Sequence, residues 1–131
     1  MFASSHMRKG SSALSVHNLN FARWMFRGAA IYGVLVLAPM YAVAAPSDRP
    51  DSYYGFIGCA LVFQWLFWII GSNPSRYRSF MLPCIAEKLV YAVPALVLVA
   101  QDSAPAIIVP FAIMDLVLGA GFFVARTRMP A

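Results

Sequence analysis

Charge is scarce in this chain. Only 11% of its 131 residues are Asp, Glu, Lys or Arg, against 61% that are hydrophobic. A soluble domain of this length needs a polar shell larger than its core, and too few polar side chains are present to make one. Acidic residues are the scarcest, five against ten basic ones, for a net charge of +5. Nucleic-acid binding would need those basic residues gathered on one water-exposed face. Here they fall in short runs between apolar stretches, which is how membrane proteins are flanked, and the partners such flanks meet are anionic lipid head groups. Cysteine is limited to Cys59 and Cys84, without a CxxC or a neighbouring His cluster. On the helices proposed below their depths differ by roughly 15 Å, well beyond the ~7 Å that a disulfide spans. Both are therefore expected to be unpaired, small apolar packing residues. His6 and His17 are isolated, so neither a metal nor a cofactor is expected. No Ser-His-Asp, HExxH, P-loop or GxGxxG pattern is present, so no catalytic residue is assigned and the sequence leans away from an enzyme.

What the chain does have is four long apolar runs. Gly28–Ser47 and Ser52–Ser75 are uncharged, Ser79–Gln101 holds only Glu87 and Lys88, and Ser103–Ala125 holds only Asp115. Each is about the 20 residues that a helix needs to cross a bilayer core. They are apolar on nearly all sides, unlike the striped helix of a soluble protein, and lack the alternation of a membrane barrel. The breaks APSDRPDS, GSNPS and QDSAP carry turn residues. The fold expected is all-α: an integral membrane four-helix bundle running up-down-up-down, with spans at about 24–45, 54–72, 79–100 and 105–126. Residues 1–20, Ser-rich and without an apolar period, are expected to be a flexible polar segment, and 127–131 a short tail. From Leu19 onward, Leu19, Ala22 and Phe26 share one helical face and Asn20, Arg23 and Arg27 another, an interfacial lead-in to the first span.

Basic residues set the orientation. With the N-terminus inside, the cytoplasmic segments hold Arg8, Lys9, Arg23, Arg27, Arg76, Arg78, Arg126 and Arg128, whereas the outer loops hold Arg49 among Asp48, Asp51 and Asp102. Both termini are thus expected in the cytoplasm, with Arg23, Arg76, Arg78, Arg126 and Arg128 anchoring at head groups. Ala42-Val43-Ala44 ahead of Pro46 matches a signal-peptidase site, but the polar region before it is unusually long for a signal peptide, so the span is read as retained.

Ionisable groups inside a bilayer are expensive and mark the positions where function would show. Glu87 and Gln64 lie roughly 12 Å above the cytoplasmic boundary and Asp115 roughly 16 Å. Long Arg27 and Lys88 side chains reach the same layer. Glu87 and Lys88 diverge by about 100° on their helix, so the arrangement expected is Glu87 toward Arg27 and Lys88 toward Asp115, with Gln64 completing the network. Two acids and two bases would leave that layer neutral, which favours a structural role. Pro94 and Pro110 are expected to bend their helices, while Ala29 with Gly33, and Gly119 with Gly121, offer close-approach surfaces.

The strings RWMFRGAAIYG, YYGFIG, PSRYRSFMLPCIAEKL and DLVLG resemble a group of small, uncharacterised four-span bacterial inner-membrane proteins, and more loosely the DoxX-like membrane proteins. The resemblance covers roughly residues 23–126 and implies a bacterial inner membrane; it brings no activity. Small multidrug exporters carry an essential acid in the first span, which has none here, and quinone-linked thiol oxidases need cysteine pairs that are missing.

Three functions fit. The first is an accessory or scaffold protein that packs against partner helices or a second copy of itself. The second is a binder of a lipid, quinone or similar amphiphile, in a groove lined by Gln64, Glu87, Tyr91, Asp115 and aromatic residues of the second span. The third is a proton- or ion-coupled carrier using Glu87 or Asp115.

Overall fold

The computed structural model describes residues 3–45 and 48–130, the side chains of residues 3–9 and 11 excepted. Every regular element among the described residues is helical. Helix α1 spans Ala3–Leu37 and tightens into a 3₁₀ segment over Ala38–Ala42. Helix α2 spans Pro50–Ser72, and a 3₁₀ turn at Arg78–Phe80 leads into α3, Met81–Ala100. A second such turn, Ala106–Ile108, leads into α4, Val109–Thr127. Four stretches, Ser12–Ala42, Pro50–Ser72, Arg78–Ala100 and Ala106–Thr127, are long and apolar enough to cross a membrane.

Proline sets several boundaries. Pro39 stands at the start of the 3₁₀ segment. Lacking an N–H and crowding the carbonyl one turn back, it ends α1 at Leu37, within the expected first span. Pro50 opens α2, with Asp51 in the first turn where a helix N-terminus favours negative charge. Pro110 does not bend a helix interior as expected. It lies in the first turn of α4, where its missing N–H has no intrahelical partner to lose. Pro94 does lie inside α3. That helix ends in a Schellman arrangement: Ser103 N–H donates to Leu98 O at 2.8 Å and Asp102 N–H to Val99 O at 3.0 Å. Asp102 takes the left-handed position, φ 54°, that glycine usually fills.

Both chain ends carry regular or anchored structure among the described residues. Helix α1 begins at Ala3, within the polar 1–20 segment; no proline interrupts this stretch, and Ala22 and Phe26 further along are fully buried. The expected 127–131 tail is tied down, because Met129 is buried in the core and Asn18 Nδ2 donates to the Arg128 carbonyl at 3.2 Å. Met1, Phe2 and Ala131 lie outside the described residues, as do the side chains of His6, Arg8 and Lys9 and the Pro46 of the cleavage-site pattern.

Side-chain pairings show the helices to be antiparallel in turn. Phe26 meets Phe67, and Tyr41 stacks on Tyr54 at 5.8 Å, so α1 and α2 run oppositely. Phe26 stacks on Phe122 at 4.1 Å and Asn18 meets Arg128, so α1 and α4 do too. Lys88 meets Asp115 while Ala92 and Ala95 pack with Ala112, which reverses α4 against α3. The result is an up-down-up-down bundle of two tight hairpins, α1/α2 and α3/α4, joined along α1 and α4. Helices α2 and α3 touch only sparsely. Antiparallel packing gathers Arg23, Arg27, Arg76, Arg78, Arg126 and Arg128 at one end, and Asp48, Arg49, Asp51 and Asp102 at the other.

Candidate functional site

At mid-bundle the polar residues meet in one place. Lys88 is the most enclosed of the charged groups, its side chain 6% exposed, with Nζ 3.0 Å from Asp115 Oδ1 and 3.1 Å from Glu87 Oε2. The room for it comes from Gly119: a Cβ there would stand 3.3 Å from Lys88 Cβ. One flexible four-carbon stem thus reaches sideways to its chain neighbour Glu87 and across the hairpin to Asp115. The contact with Glu87 is an ion pair without hydrogen-bond alignment, and that carboxylate oxygen receives no hydrogen bond.

Arg27 does not pair with Glu87, contrary to the expected network. Its guanidinium lies 5.2 Å from the centre of the Trp68 ring, and its stem passes Gly71, where a Cβ would stand 2.7 Å from Arg27 Cγ. The reason is azimuthal. Arg27 faces the α1/α2 contact, and α2 offers it an aromatic face and a glycine gap. The layer therefore holds two acids and one base, not the balanced set of four. Fully ionised, it carries a formal −1.

Gln64 is 2% exposed and joins from the other hairpin. Its Nε2 donates back to Ala60 O at 3.0 Å, while its carbonyl oxygen Oε1 is buried without a donor. The side chain lies over Gly33, where any Cβ would collide with it. The Ala29/Gly33 pair, read from sequence as a packing surface, therefore makes room for this amide.

These groups line a pocket of about 360 Å³ between all four helices. It is more than twice the ~150 Å³ cavity that accommodates benzene in a protein core, so it is no mere packing defect. Gln64, Glu87, Lys88, Tyr91 and Asp115 all border it, and its remaining walls are mostly apolar, including Val36, Phe56, Ile108 and Phe111. The helical periods are visible in the lining: Phe56, Ala60 and Gln64 on α2, Glu87 and Tyr91 on α3, Phe111, Asp115 and Leu118 on α4. Tyr32 and Phe111 were missed by the sequence reading. Their signal was the spacing to Val36 and Asp115, one helical turn away in each case.

Toward the arginine-rich end the bundle is closed by three interlocked rings. Phe26 and Phe122 stack at 4.1 Å with planes 7° apart, and Phe67 meets Phe122 edge-on at 5.0 Å. All three are fully buried, and Lys88 Nζ lies 5.2 Å from the Phe67 ring centre. In the other direction the pocket lining extends to Met40 and Ile107. The stacked rings thus stand between the pocket and the arginine-rich end.

Of the arginines gathered at one end, Arg76 lies over Tyr77 and Arg128 over Phe21, at 5.6 and 5.3 Å. Both cysteines are free; Cys84 is buried and donates to Phe80 O at 3.1 Å, while Cys59 is exposed. Among the described residues no group of His, Cys, Asp and Glu could hold a metal. The fold and site define an all-helical chain with four potential membrane spans and one polar pocket between them. No protein family, curated protein or solved structure matches it.

Proposed function

We propose that this protein is a membrane-embedded receptacle for a small amphiphile, held in the pocket beside Lys88. The observation that carries this reading is the buried Gln64 carbonyl oxygen, unpartnered at the wall of a 360 Å³ pocket beside an ion cluster with surplus acid. An orphaned buried acceptor costs about 1–3 kcal/mol, and an occupant with N–H or O–H groups would recover it. The apolar walls suit the rest of an amphiphile and give water few partners. The excess of Arg at the basic end supports placing that end in the cytoplasm, and the resemblance to small four-span proteins supports a bacterial inner membrane.

Packing against partner helices or a second copy, which the sequence put first, would use the exposed faces of Trp24, Leu35 and Trp65. Such faces suit lipid equally well and specify no partner. A carrier using Glu87 or Asp115 would need a path past Phe26, Phe67 and Phe122, and these rings are in contact.

Native mass spectrometry from mild detergent tests the proposal. The wild-type chain should retain one amphiphile at unit stoichiometry, and Gln64→Leu, which removes the acceptor while keeping the volume, should lose it. A chain that emerges bare in both forms overturns the receptacle reading.

A further inference from the structure

Helices α2 and α3 touch only sparsely beside the pocket. A second, almost wholly apolar groove of about 680 Å³ runs along that gap, bordered by Cys59, Phe63, Ala86, Val90, Pro94 and Leu98. Phe56, Ala60, Glu87, Tyr91 and Ile108 border both spaces, so groove and pocket adjoin, with the stacked Phe56 and Tyr91 rings and Glu87 in the wall they share. The groove faces outward: Val90 is 73% exposed and Ala86 is also exposed. In a membrane its open side meets acyl chains.

Charge says what should lie at the inner end of that groove. Among the described residues, Lys88 is the only basic one bordering the pocket, against the carboxylates of Glu87 and Asp115 and the free carbonyl oxygen of Gln64, with the Tyr32 and Tyr91 hydroxyls nearby. With both carboxylates ionised, the cluster is one positive charge short. An uncompensated charge at this depth costs at least about 2.5–3.5 kcal/mol on insertion scales. A cationic head that donates hydrogen bonds to Glu87, Asp115 and Gln64 would remove that cost. An anionic head would meet two carboxylates and add to it.

Resting on the receptacle reading, we infer that the occupant is a single-chain amphiphile with a cationic head. The head lies beside Glu87, Asp115 and Gln64, and the chain lies in the groove between α2 and α3, which serves as its lateral entrance from the bilayer. Lipid tails are as apolar as the groove, so placing the chain there gains little hydrophobic energy. Selectivity then comes from the head and access from the gap.

The test uses the whole protein in phosphatidylcholine nanodiscs and a dodecylamine that carries a photoreactive diazirine at its chain end. The label should map to groove residues of α2 and α3, such as Phe63, Val90 and Leu98. Unlabelled dodecylamine should compete, with dodecanol and dodecanoate weaker by about thirtyfold or more, the scale of losing one partner of a buried charge pair. Val90→Trp, a change on the lipid-facing side that leaves the interior intact, should lower labelling of α2 and α3. Saturable, amine-selective labelling found instead around Met40 and Ile107 would overturn the lateral entrance while leaving the receptacle standing. Dodecanol competing as well as the amine would overturn the cationic head. If none of the three competes, the receptacle reading falls as well.

Discussion

Replacing Lys88 by Met keeps most of the length of the side chain and removes the cation between two half-buried carboxylates. At 3.0 and 3.1 Å, with an effective dielectric near 20, each contact has a gross attraction of about 5 kcal/mol. Most of that offsets the desolvation of three charged groups, so the gross figure is not the stability lost. Breaking a buried pair by removing one partner costs about 3–5 kcal/mol, because the remaining charge is left uncompensated. Here two carboxylates are left, and Lys88→Met should cost at least the lower end of that range. The triple variant Lys88→Met, Glu87→Gln, Asp115→Asn has no buried charge and should regain most of the loss. The comparison isolates charge from packing, since both variants share the same Met. Unfolding titrated with sodium dodecyl sulphate in mixed micelles, followed by far-UV circular dichroism, gives both values. A Lys88→Met protein within about 1 kcal/mol of wild type, or a triple variant no more stable than the single one, would refute the reasoning, for then Lys88 would not be compensating the two acids.

Three further outcomes follow from the same geometry. Phe122→Ala removes a fully buried ring stacked on Phe26 and met by Phe67; the same titration should show a loss of about 3–5 kcal/mol, and a loss under 1 kcal/mol would mean the rings do not close the bundle. Gly119→Val puts methyl groups where even a Cβ stands 3.3 Å from Lys88 Cβ, so it should cost about 1–3 kcal/mol by overpacking, and less once Lys88 is shortened to Ala. Asp102→Gly relieves a left-handed residue at φ 54° and removes a negative charge from a helix C-terminus, and should stabilise by about 1 kcal/mol; no gain would show that the Asp side chain is held by something worth as much.

Depth along a helix was legible in the sequence, and direction around it was not. Counting 1.5 Å per residue put Gln64, Glu87, Lys88 and Asp115 in one layer, and all four border one pocket. The same count included Arg27, yet its guanidinium lies against Trp68, because rotation about α1 is decided by packing at Gly71 and Phe26, which no local pattern reveals. The glycines were visible as small residues, but not that Gly33 accommodates the Gln64 amide and Gly119 the Lys88 stem. Pro110 was misread for lack of a boundary: α4 begins one residue before it, and the apolar run that flows through Val109 hid the start. The α2/α3 gap had no signature in either helix alone, since it is a relation between two surfaces.

That gap also bears on how binding and folding are linked. The charged groups Glu87, Lys88 and Asp115 belong to the α3/α4 hairpin, whereas the free acceptor Gln64 belongs to α1/α2. The hairpins are joined along α1 and α4 and only loosely at α2 and α3, so an occupant that touches both sides is a second fastening where the protein supplies least of its own. A ligand that binds only the docked pair stabilises it by about 2.7 kcal/mol at a hundred times its Kd. Dodecylamine should therefore raise the detergent concentration needed to separate the hairpins, and should do so less in Gln64→Leu, which cuts one of its two attachments. An equal rise in both proteins would mean that the amine binds on the α3/α4 hairpin alone, and the pocket would then not be the joint between the two halves.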